Sequence, residues 1–239
     1  MASFLRRRAK NPDTPRPRSQ RKKPVVVNRV DLAELTPDPV SYLGRAAYVQ
    51  LALFETASKA AMAAPTTAGK HALAEVSRLT LARYHGLVAE LGRAHREPAE
   101  AMEPFRRSID EFHRVTLGSD WYETLVTSYV TAGLLDDFLV RLAGGLSDDQ
   151  QRRIAILLAP DGGTDLIVEQ LRVAIAANPR LASRLAMWGR RLVGDTLLVA
   201  RSALSAPVDT TPDEARLEPV FTELIAAHTR RMDALGLTA

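Results

Sequence analysis

Residues 181–199, LASRLAMWGRRLVGDTLLV, carry the clearest helical pattern in the chain. Their apolar side chains recur in alternating steps of four and three residues, which is the spacing of a seam between packed helices. The seam positions are Leu181, Leu185, Trp188, Leu192, Asp195 and Val199. A lone ionised carboxylate in an apolar core costs several kcal/mol unless it is paired, protonated or bound to a metal ion. The stretch therefore predicts a core helix that directs one acid, Asp195, into the interior.

Three earlier segments combine an apolar helical stripe with one ionisable side chain in the same way. These are residues 38–64 with Glu55, residues 66–92 with His85, and residues 119–143 with Asp136 and Asp137. Adjacent helical residues lie about 100° apart, so only one of the two aspartates can face inward, and Asp136 continues the stripe better. Four polar groups on four helices predict a polar centre inside a helix bundle.

Local signals predict where these helices begin and end. Asp38 followed by Pro39 is a typical helix start, with an N-cap side chain and a proline at the first helical position. The first core helix should end before Pro65. Glu123 stands three residues after Asp120, the spacing of a capping box, so a third core helix is expected to start there.

Composition favours an all-α fold, because Ala and Leu dominate, only 5% of residues are aromatic and proline lies mostly at segment boundaries. Residues 98–117 are predicted as shorter helical pieces broken at Pro98 and Pro104. The 239 residues suit one large helical domain with tails. The chain has no cysteine, which excludes disulfides and thiolate chemistry. No apolar run reaches the roughly 20 residues that span a bilayer, so we expect a soluble cytoplasmic protein without a membrane partner.

Positive charge is concentrated at the N-terminus. Residues 1–30 hold ten Lys or Arg and one acid, a net of +9, whereas the whole chain carries +4, so the remainder carries −5. This segment has too few apolar residues to offset chain entropy and is predicted to be a disordered basic tail. The bundle is predicted over residues 38–205, and a C-terminal helix over 213–236 should pack on it. The tail is either an RNA contact, through counterion release, or a solubilising terminus.

Five motifs, taken in order, carry a family resemblance. They are YVQLALFE (48–55), LARYHGLV (81–88), GSDW (118–121), YVTAGLLDDF (129–138) and GRRLVGD (189–195). Together they resemble the ferritin-like proteins grouped with the MiaE-type tRNA hydroxylases, over roughly residues 40–205. The resemblance implies a ferritin-like four-helix bundle with additional short helices. It also implies a di-iron centre that activates O2 and hydroxylates the isopentenyl group of a modified adenosine beside the tRNA anticodon.

The chain departs from the usual di-iron pattern in one respect. Such sites take two Glu-x-x-His pairs, and no Glu-x-x-His occurs in this sequence. The nearest match is Asp110-x-x-His113, on a segment between core helices. The candidate metal ligands are therefore Glu55, His85, Asp136 or Asp137, Asp195 and His113, a set that would hold one iron ion more easily than two.

Two functions remain open at this point. The first is an iron-dependent, O2-activating hydroxylase whose tail steers tRNA. The second is a non-catalytic ferritin-like protein with a degenerate metal centre, which serves as an interaction module and can form an oligomer. In the second case Glu55 pairs with an arginine from a neighbouring helix, and Asp195 pairs with Arg191 one turn earlier. Changing Asp195 to asparagine distinguishes the two. In the first case it removes metal and activity while the fold persists, and in the second it mainly lowers stability by leaving Arg191 unpaired.

Overall fold

The computed structural model describes residues 35–158, 162–204 and 214–237, with backbone alone for 199–204 and 214–220. Within these ranges the chain forms eight α-helices and all regular structure is helical, which confirms the all-α prediction. The helices are α1 Pro39–Ala63, α2 Thr67–Arg93, α3 Pro98–Thr116, α4 Trp121–Leu142, α5 Asp148–Leu158, α6 Thr164–Ala177, α7 Pro179–Leu204 and α8 Glu214–Ala234. The predicted basic tail, residues 1–30, lies outside the described residues.

Polar side chains begin the long helices where the sequence predicts. Asp38 accepts hydrogen bonds from two backbone N–H groups in the first turn of α1, both at 3.1 Å. At the start of α4, Asp120 accepts from the backbone N–H of Glu123 at 2.9 Å. The Glu123 carboxylate accepts in return from the backbone N–H of Ser119 at 3.0 Å. These bonds satisfy donors that a helix N-terminus otherwise leaves without partners, which explains why the local signals locate the ends well.

Helices α1 and α2 form the most extensive helix pair in the described residues. The loop of residues 64–66 is too short for any arrangement but an antiparallel hairpin. Small side chains on α1, such as Ala57 and Ala60, are each only 2% exposed and allow the two helices to approach closely. Helix α4 packs on α1, where the Tyr42 hydroxyl donates to the carbonyl of Leu139 at 2.8 Å.

Helix α3 is continuous through Pro104, so the predicted break at this residue is wrong. An interior proline removes one backbone hydrogen bond and costs about 3 kcal/mol. The apolar face of α3 offsets this cost, because it is buried and the helix packs along α1. The buried residues of this face are Met102, Ile109 and Phe112.

The contact between α1 and α3 depends on a glycine. A Cβ atom added at Gly44 would lie 2.1 Å from the carbonyl oxygen of Ala101, and 2.7 Å from its carbonyl carbon. Both atoms belong to the backbone of α3, which cannot move without displacing the helix. Glycine is therefore required at this position for α3 to lie where it does.

The second half of the chain places α6 beside α2. Helix α6 packs against α2 and α4, whereas α7 packs against α4, α3, α6 and α8. Gly163 precedes α6 with φ at +86°, and a Cβ atom on it would lie 2.7 Å from Cγ2 of Val76 on α2. Glycine permits both this left-handed backbone and the close approach. Helix α6 therefore contributes to the interior beside α2, in addition to α7, which the sequence analysis predicted as a core helix.

Helix α8 packs on α4 and α7. Its Arg231 guanidinium lies over Gly133 of α4 and donates to the Gly133 carbonyl at 2.9 Å and to Asp137 at 2.8 Å. The Tyr129 hydroxyl donates in turn to the Arg231 carbonyl at 3.1 Å. Across the described ranges, no helix is both long and apolar enough to cross a membrane.

Candidate functional site

Three polar side chains from different helices meet in the interior between α1, α2 and α4. The Arg83 guanidinium of α2 donates through Nη1 to Oδ2 of Asp136 on α4 at 2.7 Å. The Gln50 amide of α1 donates through Nε2 to the other carboxylate oxygen, Oδ1, at 2.8 Å. Arg83 also donates through Nη2 to the carbonyl of Leu158, at the end of α5, at 3.1 Å. Gln50, Arg83 and Asp136 together form the polar centre of the protein.

The polar centre is well shielded from solvent. The side chains of Arg83 and Asp136 are 10% and 16% exposed, and Gln50 is fully buried. Burial raises the pKa of Asp136 above its ordinary value of 3.8, while the charge and hydrogen bond of Arg83 act in the opposite direction. Because arginine does not lose its proton in proteins, the polar centre contains a permanent cation that faces the carboxylate.

A narrow cleft adjoins the polar centre. Its other polar walls are formed by Thr80, Ser128, Tyr129 and Thr164, and the space open to water-sized molecules is about 50 Å³. Thr80 and Ser128 donate their hydroxyl protons to backbone carbonyls, each at 2.9 Å, so they present lone pairs to the cleft. The cleft is therefore a place for small hydrogen-bond donors, and its volume suits a few water molecules.

The Gln50 side chain has one unused atom at this cleft. Its Oε1 is buried and has no hydrogen-bond partner among the described residues. The orientation of the amide is set by Asp136, because a reversed amide would direct an oxygen at the carboxylate. We expect a buried water molecule to donate to Gln50 Oε1, since an unsatisfied buried acceptor is costly.

The sequence-predicted ligands do not converge on the polar centre. Glu55 and His85 are exposed, so their predicted inward orientation is wrong. Helical phase explains the error: Glu55 lies five residues beyond Gln50, and His85 lies about 200° around α2 from Arg83. In alanine-rich helices the small apolar residues occur on every face, so periodicity gives little information about which face is buried.

Two other predicted ligands pair with arginines outside the polar centre. Asp137 accepts a hydrogen bond from Arg231 of α8 at 2.8 Å. Asp195 lies 3.9 Å from Arg191 within α7, in the pairing that the second sequence interpretation allowed for this residue. Of the six predicted ligands, Asp136 alone lies at the polar centre. In the part of the chain that the structure describes, no three His, Asp or Glu side chains are grouped so that they could hold a metal ion.

His113 lies in a separate, mainly apolar cleft between α1, α3 and α4. The Thr56 hydroxyl donates to the carbonyl of Ala52 at 3.0 Å, so its oxygen can accept from His113 Nε2, with which it is in contact. Burial and the positive charge of Lys59 lower the pKa of His113 below its ordinary value. This histidine has a structural partner and lies apart from the polar centre.

His228 on α8 is the basis of a pH prediction. It is buried, neither ring nitrogen has a hydrogen-bond partner among the described residues, and burial together with Arg231 lowers its pKa below 6.5. A histidine with a lowered folded-state pKa contributes stability that is complete above the unfolded-state pKa and is lost as the pH falls. Replacing His228 by leucine should therefore raise the free energy of unfolding at pH 5 by about 1 kcal/mol or more.

Urea unfolding at pH 7.5 and pH 5 measures this effect, and the gain should be larger at pH 5. The exposed His71, changed to leucine, is the matched control, because this substitution removes an imidazole that is not buried. A His228→Leu protein that loses stability equally at both pH values would show that the ring makes a favourable contact instead.

Sequence reasoning missed Gln50 and Arg83, although both lie within the quoted motifs at 48–55 and 81–88. A signal was present on α2, where buried positions recur in steps of three and four residues and include Arg83. These positions are Val76, Thr80, Arg83, Leu87 and Glu90.

Comparison with known protein families gives a match over most of the chain. A family model described as a ferritin-like domain of actinomycetes matches residues 37–208, which is more than half of the chain. No curated protein matches the chain.

Proposed function

Because this chain belongs to the actinomycete ferritin-like domain family, we propose that it is a non-catalytic member in which an arginine–carboxylate pair stands in the place of a metal centre. In this proposal the bundle is a scaffold, and the protein acts as an interaction module through its outer helices.

The observation that carries this proposal is the Arg83–Asp136 ion pair, with 2.7 Å between Nη1 and Oδ2. Iron and manganese sites in bundles are built from several carboxylates and imidazoles. The polar centre offers one carboxylate and one amide, and its third member is a guanidinium, which has no lone pair to donate. The fixed positive charge of Arg83 also repels a second cation at this short range. The residues present therefore do not fit an iron centre.

The competing function is the iron-dependent tRNA hydroxylase suggested by the order of the sequence motifs. It would need Glu55, His85, Asp136 and Asp195 to hold iron, although Glu55 and His85 are exposed and Asp195 lies beside Arg191. Contact between tRNA and the basic residues 1–30 stays a prediction, as does the cytoplasmic location.

Metal analysis of the full chain, produced with added iron, tests the proposal. We expect the wild-type protein to retain no stoichiometric iron or manganese after gel filtration. The Gln50→Glu/Arg83→Glu double variant replaces the amide and the cation, so that three carboxylates from three helices face one point. If this variant folds, as judged by circular dichroism, it should gain affinity for Mn²⁺.

The control variant is Glu55→Gln, which changes an exposed carboxylate. If the proposal is correct, Glu55→Gln leaves the metal content of the protein unchanged. If the protein is an iron-dependent hydroxylase, the same substitution weakens iron binding. Stoichiometric iron in the wild-type protein that is reduced by Glu55→Gln or by Asp136→Asn would overturn the proposal. The iron and manganese content of the wild-type protein decides between the two functions even if the double variant does not fold.

A further inference from the structure

Helix α7 exposes an unusual stripe along its outward face. The stripe consists of Met187, Arg191, Gly194 and Leu198, at steps of four, three and four residues, so all four lie on one side of the helix. Met187 is 67% exposed and Leu198 is 65% exposed, which is high for large apolar side chains. Arg191 is 63% exposed, and a Cβ atom added at Gly194 would contact no atom of the described residues within 4 Å.

The stripe is complementary to itself. Its midpoint lies between residues 192 and 193. Along the sequence this point is equally distant from Met187 and Leu198, and it is also equally distant from Arg191 and Gly194. A two-fold axis at this midpoint would bring two α7 helices together in antiparallel orientation. Met187 would then meet Leu198 of the second copy, and Arg191 would cross over Gly194 of the second copy.

We propose that the Met187–Leu198 stripe of α7 is the interface of a homodimer of this chain. A second copy of the chain would then be the partner of the proposed interaction module, so the dimer rests on the proposed function. From here on this surface is called the α7 stripe.

Charge complementarity supports a second copy as the partner. Within one chain, Arg191 and Asp195 are 3.9 Å apart, and Asp195 is 32% exposed, so the contact is loose. The Arg191 guanidinium also lies 5.2 Å from the centre of the Trp188 ring, which holds it along the helix surface. In the antiparallel arrangement each Arg191 reaches Asp195 of the other copy, and two equivalent ion pairs form across the axis.

Gly194 supports the same partner. Glycine is the least favourable residue in a helix interior apart from proline, and no described residue lies within 4 Å of a Cβ atom added to this glycine. A close approach of a second helix is one of the few reasons to place glycine in an exposed helix. The other strongly exposed apolar residues, such as Ile156 on α5 and Val173 on α6, lie singly on their helices.

The size of the stripe indicates a weak dimer. The twelve helical residues from Met187 to Leu198 span about 16 Å, which is short for a specific interface. Such a contact falls at the low end of interface areas, below about 1,200 Å². We therefore expect dissociation in the micromolar range, so that the average mass depends on protein concentration.

Sedimentation velocity on the full chain, from low to high micromolar concentration, tests the proposal. The wild-type protein should pass from one chain to two as the concentration rises. Gly194→Gln improves helix propensity but fills the space that the second α7 helix would occupy over Gly194. Leu198→Glu places a charge where Leu198 would meet Met187 of the second copy. Each should raise the dissociation constant by about tenfold or more, the effect of losing one anchor residue. Ile156→Glu is the control and should dimerise as the wild type does.

A single-chain mass at every concentration would overturn the dimer, and so would a dimer that survives both stripe variants. Circular dichroism checks that each variant is folded, and Gly194→Gln should remain folded because its monomer has space for the side chain. The outcome is separable from the metal analysis. A monomer without metal would leave the non-catalytic function standing with another partner, whereas a dimer that binds iron would refute that function alone.

Discussion

Replacing Arg83 by methionine is expected to lower the free energy of unfolding by about 3–5 kcal/mol, the usual cost of leaving one member of a buried ion pair without its partner. The methionine retains most of the apolar length of the side chain, but among the described residues it leaves Gln50 as the remaining hydrogen-bond donor to the Asp136 carboxylate. Burial already raises the pKa of Asp136, and Arg83 opposes that effect. Removal of the cation should therefore raise this pKa further.

The pH dependence follows from the sign of this shift. A carboxyl group with a raised folded-state pKa contributes stability that is complete below its unfolded-state pKa, 3.8 for Asp136, and is lost as the pH rises through the folded value. The loss caused by Arg83→Met should consequently be larger at pH 8 than at pH 5. Urea unfolding at the two pH values measures it.

The double variant Arg83→Met/Asp136→Asn is the matched control. Asparagine keeps an acceptor for Gln50 Nε2 but carries no charge, so the double variant should recover part of the stability and lose the pH dependence. A single variant with wild-type stability at pH 8 would mean that the ion pair contributes no net stabilisation. In that case the carboxylate would have to be solvated once the guanidinium is gone.

Replacing Gly44 by alanine should cost about 3 kcal/mol of unfolding free energy, at the upper end of the usual range for overpacking. The added methyl group would lie 2.1 Å from the Ala101 carbonyl oxygen, and both neighbours in the contact are helix backbone. The steric overlap between the added methyl group and the Ala101 carbonyl can be relieved only if α3 moves away from α1. Equilibrium urea unfolding gives the size of the loss, and hydrogen exchange should show faster exchange in α3.

Gly92→Ala is the control for the Gly44 prediction. Gly92 also lies in a helix, but a Cβ atom there meets no atom within 4 Å in the part of the chain that the structure describes. Alanine should therefore be neutral or should stabilise α2 by up to about 1 kcal/mol. If the two substitutions had the same effect, helix propensity rather than the contact with α3 would decide the result.

The helices could be predicted because their signals are local. Asp38 and Asp120 cap their helices through hydrogen bonds to residues two or three positions away. Pro104 shows the limit of such signals, because α3 continues through it once its apolar face is packed on α1. Local preference is outweighed there by burial that depends on residues distant in sequence.

The composition of the polar centre could not be predicted in the same way. The sequence analysis selected ionisable residues on apolar stripes, and of these only Asp136 lies at the polar centre. Gln50 and Arg83 were missed because the phase of an alanine-rich helix is decided by its neighbours. The role of α6 was missed because it depends on the close approach of Gly163 to Val76. These two residues are 87 positions apart in the sequence but adjacent in space.

By itself the sequence determined an all-helical protein, most helix ends, the absence of thiol chemistry and the resemblance to ferritin-like proteins, since each follows from composition or from short-range hydrogen bonds. The tertiary structure decided which faces turn inward, and hence that a guanidinium faces Asp136 while Glu55 and His85 remain in solvent. The physical reason is that a helix pattern defines its faces only relative to one another. Packing against other helices selects the face that is buried.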